Sequence, residues 1–188
     1  MHGLLQAFKD AEKWQEAADY LSGVDRRWSD DVNSWYYFCI GYADYLIDKS
    51  KPEEALQWIA KSSSVPPNLS NVSLPPDYFY RQQEYYITGL SYKMLGDTVR
   101  SHQFLRKVID EQTDFLFNAG TVNRLQQLRF YVALALKELG MEPAARSILA
   151  AINQYRVERG LVVLPLDKSG LGDWTVQDPL AEPALTEH

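Results

Sequence analysis

The chain has 188 residues, which is enough to bury the core of one domain. Apolar residues make up 46% and charged residues 23%, the usage of an ordinary globular protein. The formal net charge is −6 and lysine and arginine are not clustered, which argues against a nucleic-acid partner, since phosphate binding needs clustered cations. The single cysteine, Cys39, excludes an intrachain disulfide and is typical of a reducing compartment.

Hydropathy argues against a membrane partner. No apolar run approaches the roughly 18–20 residues that cross a bilayer. The first residues lack the positive region and the long apolar stretch of a signal peptide. We therefore expect a cytoplasmic protein.

Helical periodicity fills the first part of the chain in two units. Residues 4–24 carry two short helical patterns, and the polar stretch that follows is predicted to be a loop. A second unit begins near Val32, and its apolar residues recur at helical spacing up to Ile47. Ser50 is predicted to cap the next helix, with Pro52 in its first turn.

Two further units follow a proline-rich break. Residues 66–77 contain four prolines, so we expect a loop between units or a linker between domains. The third unit starts near Tyr78 and turns at Gly96, and the fourth turns at Gly140. Residues 161–166 are predicted to be an extended segment packed on the last helices, and disorder is expected from about Asp178.

A small residue recurs at the same position in each second helix. Aligned on it, the four units carry Ala17, Ala55, Ser101 and Ala145. The first helices carry a mostly small residue twelve positions earlier, at Leu5, Ala43, Gly89 and Ala133. Large residues flank these positions, at Phe8, Leu46, Tyr92, Leu136, Leu21, Ile59, Leu105 and Leu149. Two antiparallel helices approach closely only where side chains are small, so the pattern predicts stacked helix pairs.

This pattern resembles the tetratricopeptide repeat, whose turns are best matched at Leu95 to Asp97 and at Leu139 to Gly140. The resemblance implies an all-α fold, a right-handed solenoid of about four antiparallel helix pairs over residues 1–160. Residues 161–188 would form an extended, partly disordered tail. The anchors are spaced by 38, 46 and 44 residues, against about 34 in the family, and Leu5 and Ser101 depart from its small residues.

The resemblance also implies a concave groove lined by the first helices, which would receive a peptide. The groove positions that it carries over to this chain are Lys9, Tyr37, Ile40, Asp44, Ile47, Gln83, Tyr86, Leu90, Lys93, Gln127, Phe130, Leu134 and Lys137. Three lysines, Lys9, Lys93 and Lys137, would form a row suited to an acidic partner, with the aromatic residues as anchors. The alternative is a solvated helix face above core aromatics.

Residues for catalysis or metal binding do not cluster in the sequence. The three histidines, His2, His102 and His188, are scattered, so a metal site is not expected. Cys39 lies on an apolar helix face without a nearby histidine, which favours a buried structural thiol over a nucleophile. We therefore expect no enzyme activity, no cofactor and no metal.

The sequence favours a non-catalytic scaffold that binds a peptide or an acidic protein partner in the groove. One alternative is an accessory or regulatory domain of a bacterial carbohydrate-related system, and another is a small-molecule sensor with the tyrosine-rich face as its pocket. Residues 161–174 would either cap the last helix pair or fill the groove. The sequence leaves a homo-oligomer open.

Overall fold

The computed structural model describes residues 8, 11, 13–23, 29–69, 78–110 and 122–175. Within this part of the chain every regular element is a helix, which confirms the predicted all-α class. The helices are α1 (Trp14–Gly23), α2 (Ser29–Asp48), α3 (Pro52–Ser62), α4 (Tyr78–Met94), α5 (Thr98–Asp110), α6 (Val122–Glu138), α7 (Glu142–Val157) and a 3₁₀ helix (Lys168–Thr175). Leu5, Lys9 and the region from Asp178 lie outside the described residues.

One backbone hydrogen-bond pattern occurs four times, once before α1 and three times in the turns between successive helices. In each, a backbone N–H donates to the carbonyl five residues earlier, at 2.8 to 2.9 Å. The donor and acceptor pairs are Lys13 and Phe8, Lys51 and Leu46, Asp97 and Tyr92, and Met141 and Leu136. The acceptors are the large residues that the sequence alignment placed in register. The backbone therefore confirms that register.

In these three turns between helices, the residue just before the N–H donor has the left-handed backbone conformation. Gly96 and Gly140 have φ of 79° and 78°, and Ser50 has φ of 60°. A bond from the following residue to the carbonyl five back, with a left-handed residue between, is the Schellman ending of a helix. The predicted cap at Ser50 is therefore wrong, because Ser50 ends α2, and Lys51 precedes α3 without a side-chain cap bond.

The aligned small residues of the second helices are buried, which is consistent with the predicted helix contacts. Ala17, Ala55, Ser101 and Ala145 are all buried. A Cβ added at Gly89 would lie 2.8 Å from the Cγ atom of Leu105, closer than real contacts allow. The absence of a side chain at residue 89 therefore lets α4 and α5 meet.

The chain divides into two compact units, Met1–Lys107 and Val108–His188. In the first unit α2 and α3 form a hairpin, α1 packs on α2, and α4 packs on both α2 and α3. The core of this unit contains a cluster of buried apolar side chains from α1 and α2, and Leu69 from the proline-rich loop completes it. In the second unit α6 and α7 form a hairpin, and the 3₁₀ helix contacts α6.

Candidate interaction surfaces

The apolar members of the predicted groove are core residues. Tyr86 and Phe130 are only 2% and 0% exposed, and Ile40 and Leu134 are equally enclosed. Their side chains fill space between helices, so in this structure they do not offer aromatic anchors on an open surface.

The polar members are less buried than the apolar ones. Tyr37, Asp44, Gln83 and Gln127 are half-buried, and Lys93 and Lys137 are exposed. Tyr37 and Asp44 lie on α2, while Gln83 and Lys93 lie on α4, which packs against it. These four residues define what we call the α2–α4 face.

Lys137 has a partner within its own unit. Its Nζ atom donates to the backbone carbonyl of Leu166 at 2.6 Å. This lysine holds the segment that follows α7, which the predicted lysine row did not anticipate.

A buried polar contact between α2 and α4 was not predicted. The buried Tyr36 hydroxyl donates to the carboxyl group of Glu84 on α4. Burial raises the pKa of Glu84 to about 7, although the charge of Lys107 opposes the shift. Near neutral pH this carboxyl group therefore exchanges between its two protonation states.

The alignment contains a signal for this contact. Glu84 stands where unit two has Phe38 and unit four has Leu128, and both of those residues are buried. A carboxylate at a position that is otherwise apolar needs a buried partner, because an unpaired buried charge is costly. Here the Tyr36 hydroxyl meets that need.

Cys39 is a buried thiol, as predicted. It is 0% exposed and belongs to the α1–α2 core cluster. Burial raises its pKa to about 12, and the charge of Lys61 opposes the shift only in part. The thiol is therefore protonated at neutral pH and enclosed by apolar side chains.

Aromatic rings and cations form a seam along α4 and α5. Tyr92 stacks on Phe104 with centroids 5.7 Å apart, and Tyr85 lies 6.3 Å from the same ring. Arg100 lies over Tyr92, and Lys107 lies over Tyr85 and Phe104. Since each of these cations already faces an aromatic ring, we interpret the seam as the polar surface that covers the α4–α5 hairpin.

Residues 161–171 lie against the α6–α7 hairpin, as predicted for 161–166. Leu164 is buried, and its backbone is bonded to the side chain of Asn153. A Cβ added at Gly170 would lie 2.7 Å from the Cζ atom of Phe130. This part of the chain thus contacts both helices of the hairpin, just as α4 contacts both α2 and α3, and it serves as a cover for the hairpin.

The described residues contain no group of three or more histidine, cysteine, aspartate or glutamate side chains that could hold a metal ion. Among the helices described above, none combines the length and the apolar character that crossing a membrane requires.

Comparison with known proteins adds no relative: no family model matches the chain, and no curated protein or solved structure matches it either.

Proposed function

We propose that this chain is a non-catalytic interaction scaffold, whose α2–α4 face receives an acidic peptide or an acidic segment of a partner protein. The observation that carries the proposal is the turn pattern repeated four times. The turns at Lys51 and Asp97 end α2 and α4 at equivalent positions, and α4 packs on α2 within the first unit, so equivalent positions of these two first helices lie on neighbouring helices. Tyr37 and Gln83 are one such pair of equivalent positions.

The proposal includes a tetratricopeptide-like right-handed solenoid. It is supported in the first unit, where α4 packs on both helices of the preceding hairpin. A helix pair cannot bury its outer face alone, and stacking a further pair on it is the solution that repeat proteins adopt. Such stacks present long side surfaces, which suit binding more than catalysis.

The charge of the α4–α5 hairpin supports an acidic ligand. Residues 78–110 contain five basic residues and three acidic residues, in a chain whose net charge is −6. Of the acids, Glu84 is bonded to Tyr36 and Asp97 is paired with Arg100, while Asp110 lies at the end of α5. Lys93 thus lies exposed on a hairpin of locally positive charge, which favours association with negative charge.

A small-molecule sensor is less well supported. That alternative needs a pocket walled by tyrosines, but Tyr36 and Tyr86 are each 2% exposed and fill the space between helices themselves. Ligand pockets need concave volume with a few convergent polar groups. The Tyr36 hydroxyl already donates a hydrogen bond to the carboxyl group of Glu84.

Peptide display against the full-length chain tests the scaffold proposal. Peptides should be selected at about 150 mM salt, synthesised with a fluorophore and titrated by fluorescence anisotropy. We expect the selected peptides to be acidic. Lys93→Glu should weaken their binding about tenfold or more, because a favourable charge becomes a repulsive one.

Arg106→Glu is the matched control, since Arg106 is exposed on α5, which contributes no residue to the α2–α4 face, and the change in charge is the same. It should alter affinity by less than about threefold. The proposal fails if Lys93→Glu binds as well as the wild type. It also fails if both variants weaken binding equally, because binding would then follow net charge alone.

A further inference from the structure

A polar contact joins α2 and α4 one residue away from the α2–α4 face. The Tyr36 hydroxyl on α2 donates to the carboxyl group of Glu84 on α4. Tyr37 and Gln83, two members of the face, are the immediate chain neighbours of these two residues. The bond therefore connects the same two helices that carry the face, and it lies next to a face residue on each of them.

The surroundings of the Glu84 carboxyl group contain few charges. Tyr36 is 2% exposed, and Glu84 is half-buried. Among the described residues, Lys107 of α5 is the cation whose charge acts on this carboxyl group, and that lysine also lies over the rings of Tyr85 and Phe104. From α2 and α3, the other helices that contact this region, the titratable group that the carboxyl contacts is the Tyr36 hydroxyl.

Two charge states of Glu84 are therefore accessible near neutral pH. Burial raises the pKa of Glu84 to about 7, and the charge of Lys107 opposes this shift. The carboxyl group is mostly neutral at pH 6 and mostly ionised at pH 8. Ionisation places a negative charge on α4 beside Gln83, in half-buried surroundings where salt screens charges less than in open solvent. An acidic ligand in contact with Gln83 then lies next to a like charge.

We propose that Glu84 makes binding at the α2–α4 face dependent on pH: an acidic ligand binds more tightly while this carboxyl group is protonated, and it dissociates more readily once the group is ionised. This inference rests on the function proposed for that face, and it adds the regulation of the same site. Binding and protonation are linked reciprocally, so the ligand must also favour the protonated carboxyl group. Binding near pH 7 should therefore take up protons from solvent.

Coulomb's law sets the size of the expected effect. A ligand carboxylate in contact with Gln83 would lie on the order of 8 Å from the Glu84 carboxyl group. Like charges at that separation near a protein surface lower an association constant by roughly three- to thirtyfold, depending on screening. A threefold change is therefore the smallest effect that the proposal allows.

The probe is a rhodamine-labelled acidic peptide obtained from the display selection described above. It is titrated by fluorescence anisotropy against the full-length chain at pH 6, 7 and 8 and about 150 mM salt. Aspartate and glutamate side chains of the peptide stay ionised over this range. We expect the dissociation constant of the wild type to rise at least about threefold from pH 6 to pH 8, and that of Glu84→Gln to stay nearly constant.

Calorimetry distinguishes a titrating carboxyl group from a side chain that only shapes the face. The binding enthalpy is measured at pH 7 in phosphate and in Tris, two buffers that differ in their enthalpy of ionisation. The wild type should take up about 0.2 proton or more for each peptide bound, because the ligand favours the protonated form. Glu84→Gln should take up none, since glutamine has a similar shape but does not titrate.

Two further variants complete the test. His102→Gln is the matched control, because it removes the histidine of the α4–α5 hairpin, and histidine is a residue type whose charge changes between pH 5 and pH 8. It should keep the pH dependence of the wild type. Tyr36→Phe should move the fall in affinity to higher pH, because the carboxylate loses a donor, and this variant does not require Glu84→Gln to fold.

The outcomes separate this inference from the function on which it rests. If Lys93→Glu weakens binding but wild type and Glu84→Gln have parallel pH profiles, the function of the face stands and its regulation by Glu84 is overturned. Loss of the pH dependence in His102→Gln overturns the regulation as well. If Lys93→Glu binds the peptide as well as the wild type does, the proposed face fails and its regulation fails with it.

Discussion

Glu84 illustrates how one residue can set the pH response of a helix contact. Glu84 stands at a position that is apolar in units two and four, and burial raises its pKa to about 7 from an ordinary value of 4.5. The protonated form is therefore favoured in the folded chain. A raised pKa of this kind gives stability that is fully present below the unfolded pKa and is lost as pH rises through the folded pKa.

We predict that the free energy of unfolding falls between pH 4.5 and pH 7 in the wild type, relative to Glu84→Gln, by on the order of 2 kcal/mol. Urea unfolding of both proteins at pH 5 and pH 8 measures the difference. Tyr36→Phe should move the loss to higher pH, because the carboxylate loses a donor. Parallel pH profiles for wild type and Glu84→Gln would show that Glu84 does not carry this dependence.

The contact between Gly89 and Leu105 gives a second prediction at this scale. Gly89→Ala should destabilise the chain by about 1–3 kcal/mol, because the new methyl group overlaps Leu105 in a packed core. In the Leu105→Ala background the same change should cost much less, because the opposing atoms are gone. Urea unfolding of the four proteins in a double-mutant cycle measures this coupling, and additive costs would contradict the contact.

At the scale of elements, the turns decide where the first helix of each pair ends. Three turns use a left-handed residue, and glycine fills that place at residues 96 and 140 but serine fills it at residue 50. A side chain in that conformation is strained, since the Cβ atom approaches the backbone carbonyl. The α2–α3 turn therefore keeps the repeated geometry in spite of its residue.

We predict that Ser50→Gly stabilises the chain by about 0.5–1 kcal/mol, after the larger entropy of glycine in the unfolded state is deducted. Ser63→Gly is the control, because Ser63 follows α3 with an ordinary φ of −77°. It should be neutral or destabilising, since glycine relieves no strain there. Urea unfolding midpoints compare the two variants, and an equal effect of both would contradict the strain at Ser50.

At the scale of the whole molecule, residues from distant parts of the chain complete each unit. Leu69 closes the α1–α2 core of the first unit, and Asn68 donates to the carbonyl of Leu21 at 3.0 Å. In the second unit, Leu164 closes the α6–α7 hairpin. Segments that contain no α-helix thus cover surface that the helices leave open.

We predict that Leu164→Ala destabilises the second unit by about 2 kcal/mol or more, because a buried leucine is truncated. Val163→Ala, at an exposed neighbour, should change stability by less than about 0.5 kcal/mol. Hydrogen exchange of α6 and α7 measures both effects in the full-length chain. Similar exchange in the two variants would mean that residues 161–166 do not contribute to this core.

The sequence by itself determined the helical class, the positions of the turns and the small residues at helix contacts. Local periodicity and turn chemistry govern these features, so Ala55, Ser101 and Gly96 could be placed without coordinates. The tertiary structure alone decided which side chains are covered. Tyr86 and Phe130 are enclosed, Lys137 holds Leu166, and Tyr36 meets Glu84, 48 positions away. Exposure depends on groups that are distant in sequence and arrive only when the chain folds, and no local pattern specifies them.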